Sequence, residues 1–105
     1  MIVLKRGDTR TAIRATLIDA RGDPVDLTGS VVRWIMATLK RTPVVARQAE
    51  VVDAEHGVVL VPLEPGDTDT AGTYWAEFEV TFGDGRVETY PNRGYLTVNI
   101  EPDLG

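Results

Sequence analysis

The sequence predicts an all-β domain of about seven short antiparallel strands packed as a two-layer sandwich, and three observations lead there. Apolar and polar residues alternate with a period of two in run after run, no segment carries a helical stripe, and clusters of Gly, Pro, Asp and Asn close the runs roughly every ten residues. Covering the apolar faces of so many strands requires a second sheet, since a lone sheet would leave one apolar face wet. With 105 residues, 43% of them hydrophobic, the chain suits a single domain over 1–105, a size that buries about two thirds of the unfolded surface.

The first strand is expected at Ile2 to Lys5. Thr11 to Asp19 then sets Ile13, Ala15 and Leu17 on one face against Arg14 and Thr16. Arg21-Gly22-Asp23-Pro24 stops it, because Gly accepts a positive φ and Pro lacks a ladder donor. A longer strand follows from Ser30 to Thr38 with Val32, Trp34 and Met36 inward, and Lys40 to Pro43 forms the next connection. Val44 to Asp53 and Gly57 to Leu63 read as two further strands around the turn Ala54-Glu55-His56-Gly57. The clearest strand is Tyr74 to Phe82, where Tyr74, Ala76, Phe78, Val80 and Phe82 alternate with Trp75, Glu77, Glu79 and Thr81. Gly83-Asp84-Gly85 turns the chain into Arg86 to Tyr90, Pro91-Asn92-Arg93-Gly94 interrupts that return strand, and Leu96, Val98 and Ile100 resume the inward face.

Composition narrows the functional classes. Sixteen acidic residues against eleven basic ones give a net charge of -5, and the longest basic runs are the pairs Lys5-Arg6 and Lys40-Arg41. A nucleic-acid partner is not expected, since phosphate binding needs a clustered positive patch. No apolar stretch approaches the roughly 18 residues of a membrane helix, and Met1-Ile2-Val3-Leu4 turns charged too soon for a signal peptide. The absence of Cys rules out a disulfide framework and a thiolate zinc site.

Catalytic chemistry has little to draw on. His56 is the sole histidine and Ser30 the sole serine, each placed in a turn, whereas nucleophilic catalysis needs a nucleophile, a base and an orienting group together. An enzyme and a cofactor are therefore not expected. Glu64, Asp67 and Asp69 would offer oxygen ligands to calcium, but their spacing lacks the central Gly and terminal Glu of the helix-flanked calcium loop. They read as turn formers, and no metal is expected. Arg21-Gly22-Asp23 and Gly83-Asp84-Gly85 are likewise turns, with no helix behind them to hold a phosphate.

Two stretches resemble a known architecture. Thr70-Ala71-Gly72-Thr73-Tyr74-Trp75-Ala76 is similar to the turn into strand F of immunoglobulin-like domains, where a Tyr hydroxyl pins the corner to nearby backbone. Ala76 stands where disulfide-bearing members carry Cys, so the resemblance implies a sandwich without the bridge, with Trp34 packed near that point. On a larger scale, Ala15 to Asp19, Gly22 to Gly29, Val32 to Met36, Gly66 to Tyr74 and Phe78 to Pro91 resemble, over nearly the whole chain, the immunoglobulin-like N-terminal domain of bacteriophage baseplate upper proteins. That resemblance implies a structural, protein-binding component of a phage or prophage virion, made in the bacterial cytoplasm. Its partners would be other virion proteins, or copies of itself in a ring. The family domain commonly opens a longer protein and this chain ends at Gly105, so a small accessory or decorating subunit is expected rather than a receptor-binding protein.

The same arrangement singles out a surface. Inward Tyr74, Ala76 and Phe78 force Trp75, Glu77 and Glu79 outward, and inward Val32, Trp34 and Met36 do the same for Val31, Arg33, Ile35 and Ala37. With strands C, F and G adjacent, Ile35, Trp75 and Tyr95 are expected to form an apolar island, and Arg33 to face Glu77 or Glu79. Arg33, Ile35, Trp75 and Tyr95 are thus the interface candidates, because exposed Trp beside aliphatic residues marks contact surfaces. The bland alternative has Trp75 lying flat under the Lys40-Arg41 loop as satellite core. A different class of reading is a carbohydrate- or host-surface-binding module stacking sugars on Trp75, Tyr90 and Tyr95.

Overall fold

The unbroken alternation around Phe78 forms the longest strand of the molecule, as seen in a computed structural model that describes residues 1–105. Nine strands occur in chain order: β1 (Ile2–Lys5), β2 (Ala12–Thr16), β3 (Val31–Thr38), β4 (Pro43–Gln48), β5 (Glu50–Asp53), β6 (Val58–Pro62), β7 (Gly72–Thr81), β8 (Val87–Tyr90) and β9 (Leu96–Glu101). One sheet runs β1-β9-β7-β3-β4 with β8 also on β7, and the other runs β2-β6-β5. This is the immunoglobulin-like arrangement, with strands G, F, C and C′ facing B, E and D.

The expected seven antiparallel strands become nine, with one parallel pair. Val44 to Asp53 is two strands rather than one, because the chain changes sheets at Ala49. That residue is buried, its amide donates to the Val32 carbonyl at 2.8 Å, and its small side chain lets the backbone pass through the core between layers. The return strand is also divided. β8 pairs with Phe78 to Thr81 and β9 with Gly72 to Ala76, so the two lie end to end along one edge of β7 while the chain leaves the sheet between them, after a cis Tyr90-Pro91 bond. The parallel pair is β1 with β9, in register from Ile2 opposite Val98 to Lys5 opposite Glu101. A strand that reaches the sheet through a long excursion leaves no mark of its direction in periodicity.

Of the inward sets read from the alternation of β3 and β7, Val32, Trp34 and Met36, and Tyr74, Ala76, Phe78 and Val80 are buried, whereas Phe82, just past the end of β7, is only half-buried. Trp34 stands directly opposite Phe78 in register, their ring centroids 5.0 Å apart and tilted by 56°. Such tilted contacts suit the ring quadrupoles, and truncating either ring to Ala would cost about 3–5 kcal/mol. The Tyr74 hydroxyl donates to the Thr70 carbonyl at 2.7 Å, so the corner before β7 is pinned as the strand F resemblance implied. Gly57 closes the turn before β6 with φ +69°. A Cβ there would sit 2.7 Å from the Leu17 carbonyl oxygen and 2.9 Å from that of Val25, so backbone crowding and the left-handed φ both demand Gly.

Candidate functional site

The outer face of the larger sheet is set by the β3 to β7 register, which places Arg33 opposite Glu79, Ile35 opposite Glu77 and Ala37 opposite Trp75. On its other side Trp75 pairs with Thr97 of β9. Because the chain departs from the edge of β7 between β8 and β9, no third strand covers the position beside Glu77. Tyr95, the last residue before β9, fills it by laying its ring on Trp75, with centroids 5.0 Å apart and planes 19° from parallel. Offset stacking of this kind contributes about 0.5–1.5 kcal/mol. Tyr95 remains 42% exposed, and Trp75 and Ile35 are half-buried.

Three of the four interface candidates, Ile35, Trp75 and Tyr95, therefore meet as expected and share a cleft of about 160 Å³ with Ala37, Arg41, Pro43 and Glu77. That is smaller than the roughly 300–1,000 Å³ of small-molecule pockets. The fourth, Arg33, is exposed one row away and does not line the cleft. It faces Glu79 across the strand pair without an ion pair within 4 Å. Arg41 and Pro43 were not singled out from sequence as part of this site. The β3 to β4 turn brings them there: the Thr38 carbonyl accepts from the Arg41 amide at 2.8 Å, the Thr38 hydroxyl accepts from the amides of Lys40 and Thr42 at 3.3 Å, and Arg41 takes φ +66°. A non-Gly residue held in that region costs of order 1 kcal/mol. The turn thus forms one wall of the cleft and leaves Trp75 half-buried instead of sealing it.

Tyr90 does not join the aromatic pair. It faces the opposite, inner side and is 4% exposed, its hydroxyl donating to Glu88 Oε2 at 2.6 Å. Burial first, then the bond to Glu88 and the charges of Glu88 and Asp19, push its phenol far above the ordinary range. A sugar platform of Trp75, Tyr90 and Tyr95 is excluded, because side chains in register with Phe78 point to the core.

The acidic loop after β6 is engaged by an arginine that sequence reading passed over. Arg47 stands opposite Trp34 on β4, an inward row, and at the sandwich rim it reaches across to the other layer. It donates to both carboxylate oxygens of Asp67, at 2.8 Å for one of them, and to the Pro62 carbonyl at 3.2 Å, and its Nε forms an ion pair with Glu64 at 2.7 Å. Burial would raise the Asp67 carboxyl, but the bond from Arg47, the Glu64 amide and the guanidinium charge together hold it below its usual value. The Asp67 hydrogen bond in turn raises the Arg47 guanidinium. Two of the three carboxylates considered as calcium ligands are thus neutralised within the chain. An inward charge on β4, an edge strand, also discourages further strand pairing there.

His56 lies in the expected exposed turn, its Nδ1 3.0 Å from each carboxylate oxygen of Asp53. That hydrogen bond first, and the Asp53 charge next, raise its pKa above the ordinary 6.5. The Ser30 hydroxyl is buried without a partner and makes no bond to His56. No group of three or more His, Cys, Asp or Glu side chains converges as a metal site would.

Fold and surface together define an immunoglobulin-like β-sandwich with an aromatic cleft on its larger sheet. No family model matches the sequence, and a search of curated proteins gives no match. Among solved structures the chain is similar to the crystal structure of CopC from Methylosinus trichosporium OB3b, with a TM-score of 0.57 and 13% identity over 99% of this chain and 86% of that one. At that identity the likeness speaks to the sandwich alone.

Proposed function

We propose that this domain is a non-enzymatic protein-interaction module of a phage or prophage particle, a tail, baseplate or decorating subunit that docks through the cleft of Ile35, Trp75 and Tyr95. The observation that carries the docking face is the Trp75 and Tyr95 stack: two large rings, ordered on each other at the surface, pay little entropy on binding and present apolar area of the kind that dominates interfaces. Arg41 and Glu77 on the cleft walls supply both signs of charge for orienting a partner. The cleft is too small for a drug-sized ligand and suits a partner's protruding side chain. The particle reading is supported by the resemblance of the turn and core positions, in their order along the sequence, to those of the baseplate domains.

The test is co-expression with the proteins encoded beside its gene, followed by co-purification. Tail or baseplate proteins are expected among those neighbours, and one of them is expected to retain the native chain and lose Trp75→Ala about a hundredfold, a typical hot-spot effect. Equal retention of the variant overturns the docking face, and neighbours with no particle protein among them overturn the particle assignment. A glycan array on the same protein tests the sugar-binding alternative, and saturable binding lost in Trp75→Ala would replace the protein-docking reading.

A further inference from the structure

A second surface, on the opposite side of the core from Trp75, has the geometry of a strand-binding seam. The three strands of the smaller sheet cannot cover the width of the larger one, and β2 is left as an edge. Its hydrogen-bond directions follow from its register. Ile13 opposes Val61, Ala15 opposes Val59, and the next pair in that series, Leu17 and Gly57, is joined by the Leu17 amide donating to the Gly57 carbonyl at 2.8 Å. Antiparallel strands alternate bonded and non-bonded pairs, so Ile13, Ala15, Leu17 and Asp19 spend their backbone groups on β6 and the following hairpin. The alternate residues, Ala12, Arg14, Thr16 and Ile18, turn theirs toward the uncovered edge. This row is about 20 Å long, enough for a strand of six or seven residues.

Directly beside that row the two sheets part. An apolar slot of about 160 Å³ opens between Leu17 and Ile18 of one layer and Phe78, Tyr90, Pro91 and Leu96 of the other. It lies where β8 and β9 separate, and Ile18 at its mouth is 48% exposed. The rim at this end is acidic: Glu88 accepts from the buried Tyr90 hydroxyl, and the Asp19 carboxylate, near enough to Tyr90 to act on its phenol, accepts from the amides of Arg21 and Asp23 at 2.9 and 3.0 Å.

We propose that this seam receives an extended segment of a partner protein as an added strand on β2, with apolar side chains at alternate positions entering the slot and a Lys or Arg at the Ile18 end. Free edge donors and acceptors give such a segment its main-chain bonds, and the slot reads its alternate side chains. The carboxylate rim selects the cation. A net charge of -5 favours a basic partner over a second copy of this chain, which carries the same net charge. The proposal does not depend on the Trp75 cleft.

The test fuses a segment of alternating Val and Thr ending in Lys to the N-terminus of the full chain through a Gly-Ser linker of about fifteen residues, which spans roughly 20 Å and holds the segment at millimolar effective concentration. Amide hydrogen exchange is read by NMR. In the unfused protein the Arg14, Thr16 and Ile18 amides are expected to exchange freely while Ile13 and Ala15 are protected. Fusion is expected to slow Arg14, Thr16 and Ile18 at least about tenfold, less so with Glu in place of the Lys. In a Thr16→Pro background, where the lost N–H faces solvent and β6 pairing survives, the slowing should vanish. Unslowed amides in the fused protein overturn the proposal whether or not the Pro variant folds. Equal slowing by the Glu version overturns the charge selection. Protection already present in an unfused protein of dimeric mass overturns the choice of partner, assigning the seam to a second copy.

Discussion

Replacing Arg47 by Met keeps the aliphatic stem on the inner row of β4 and deletes the guanidinium. Asp67, whose side chain is 8% exposed, is left with one donor, the Glu64 amide at 2.8 Å. Stripping the partner from a fully buried ion costs about 3–5 kcal/mol, and from an exposed pair about 0.2–1 kcal/mol. Glu64 is 59% exposed and belongs to the weak class, and Arg47 itself is 24% exposed, so the whole clamp is worth about 2–3 kcal/mol at pH 7. For a domain of this length that is a fall in Tm of roughly 10 °C. The pH dependence has a definite sign. Asp67 is held below its ordinary 3.8 in the folded protein, so the clamp contributes fully above that value and is lost as pH falls through the depressed folded pKa. In the Met variant burial acts with only one amide against it and pushes the carboxyl up. The stability gap between the two proteins is therefore widest near pH 7 and narrows below about pH 4. Urea denaturation followed by Trp fluorescence at several pH values measures it. A gap under about 0.5 kcal/mol at pH 7, the scale of a surface pair, or one that does not change with pH, would refute the reasoning.

Three further outcomes follow from the same geometry. Tyr74→Phe keeps the ring and removes the bond to Thr70, so it should cost about 1 kcal/mol in calorimetry; no loss would mean that the hydroxyl does not hold the corner. Gly57→Ala, crowded by two carbonyl oxygens, should destabilise by about 3 kcal/mol or more, whereas Gly29→Ala, at φ +73° with nothing within 4 Å of the added Cβ, should cost only about 1 kcal/mol; equal losses by thermal melting would contradict the crowding argument. An NMR titration should find His56 with its midpoint above 6.5 and Asp53→Asn returning it toward that value. Because the folded pKa is raised, the His56 contribution to stability is present below pH 6.5 and disappears as pH climbs through the folded value, and an unmoved midpoint in Asp53→Asn would remove the pair as its cause.

The parts legible in the sequence were those where one periodicity decides one face. β3 and β7 are buried on one side throughout, so Trp34, Phe78 and the outward Trp75 could be placed from alternation alone. The crossing at Ala49 left no such trace, since the residues before and after it alternate alike while belonging to different sheets. Arg47 was invisible for a related reason: charge reads as outward, and only the width of the opposite layer shows that an inward row at the rim can reach acceptors across the gap. Tyr95 could be assigned to the outer face, but its stacking on Trp75 depends on the excursion between β8 and β9 and on the third-strand position left vacant beside Glu77. Arg41 entered the cleft through a turn geometry that residue type does not favour.

The pairing of β1 with β9 also has a mechanical meaning. Being parallel, these strands carry the first and last residues of the fold to opposite ends of one four-position ladder, Ile2 with Val98 through Lys5 with Glu101. Tension applied between the two chain ends runs along that ladder and loads its bonds in shear, all at once, whereas an antiparallel terminal pair would peel open one rung at a time. Pulling on the two chain ends therefore has to break this four-pair ladder in shear before β1 can leave the sheet.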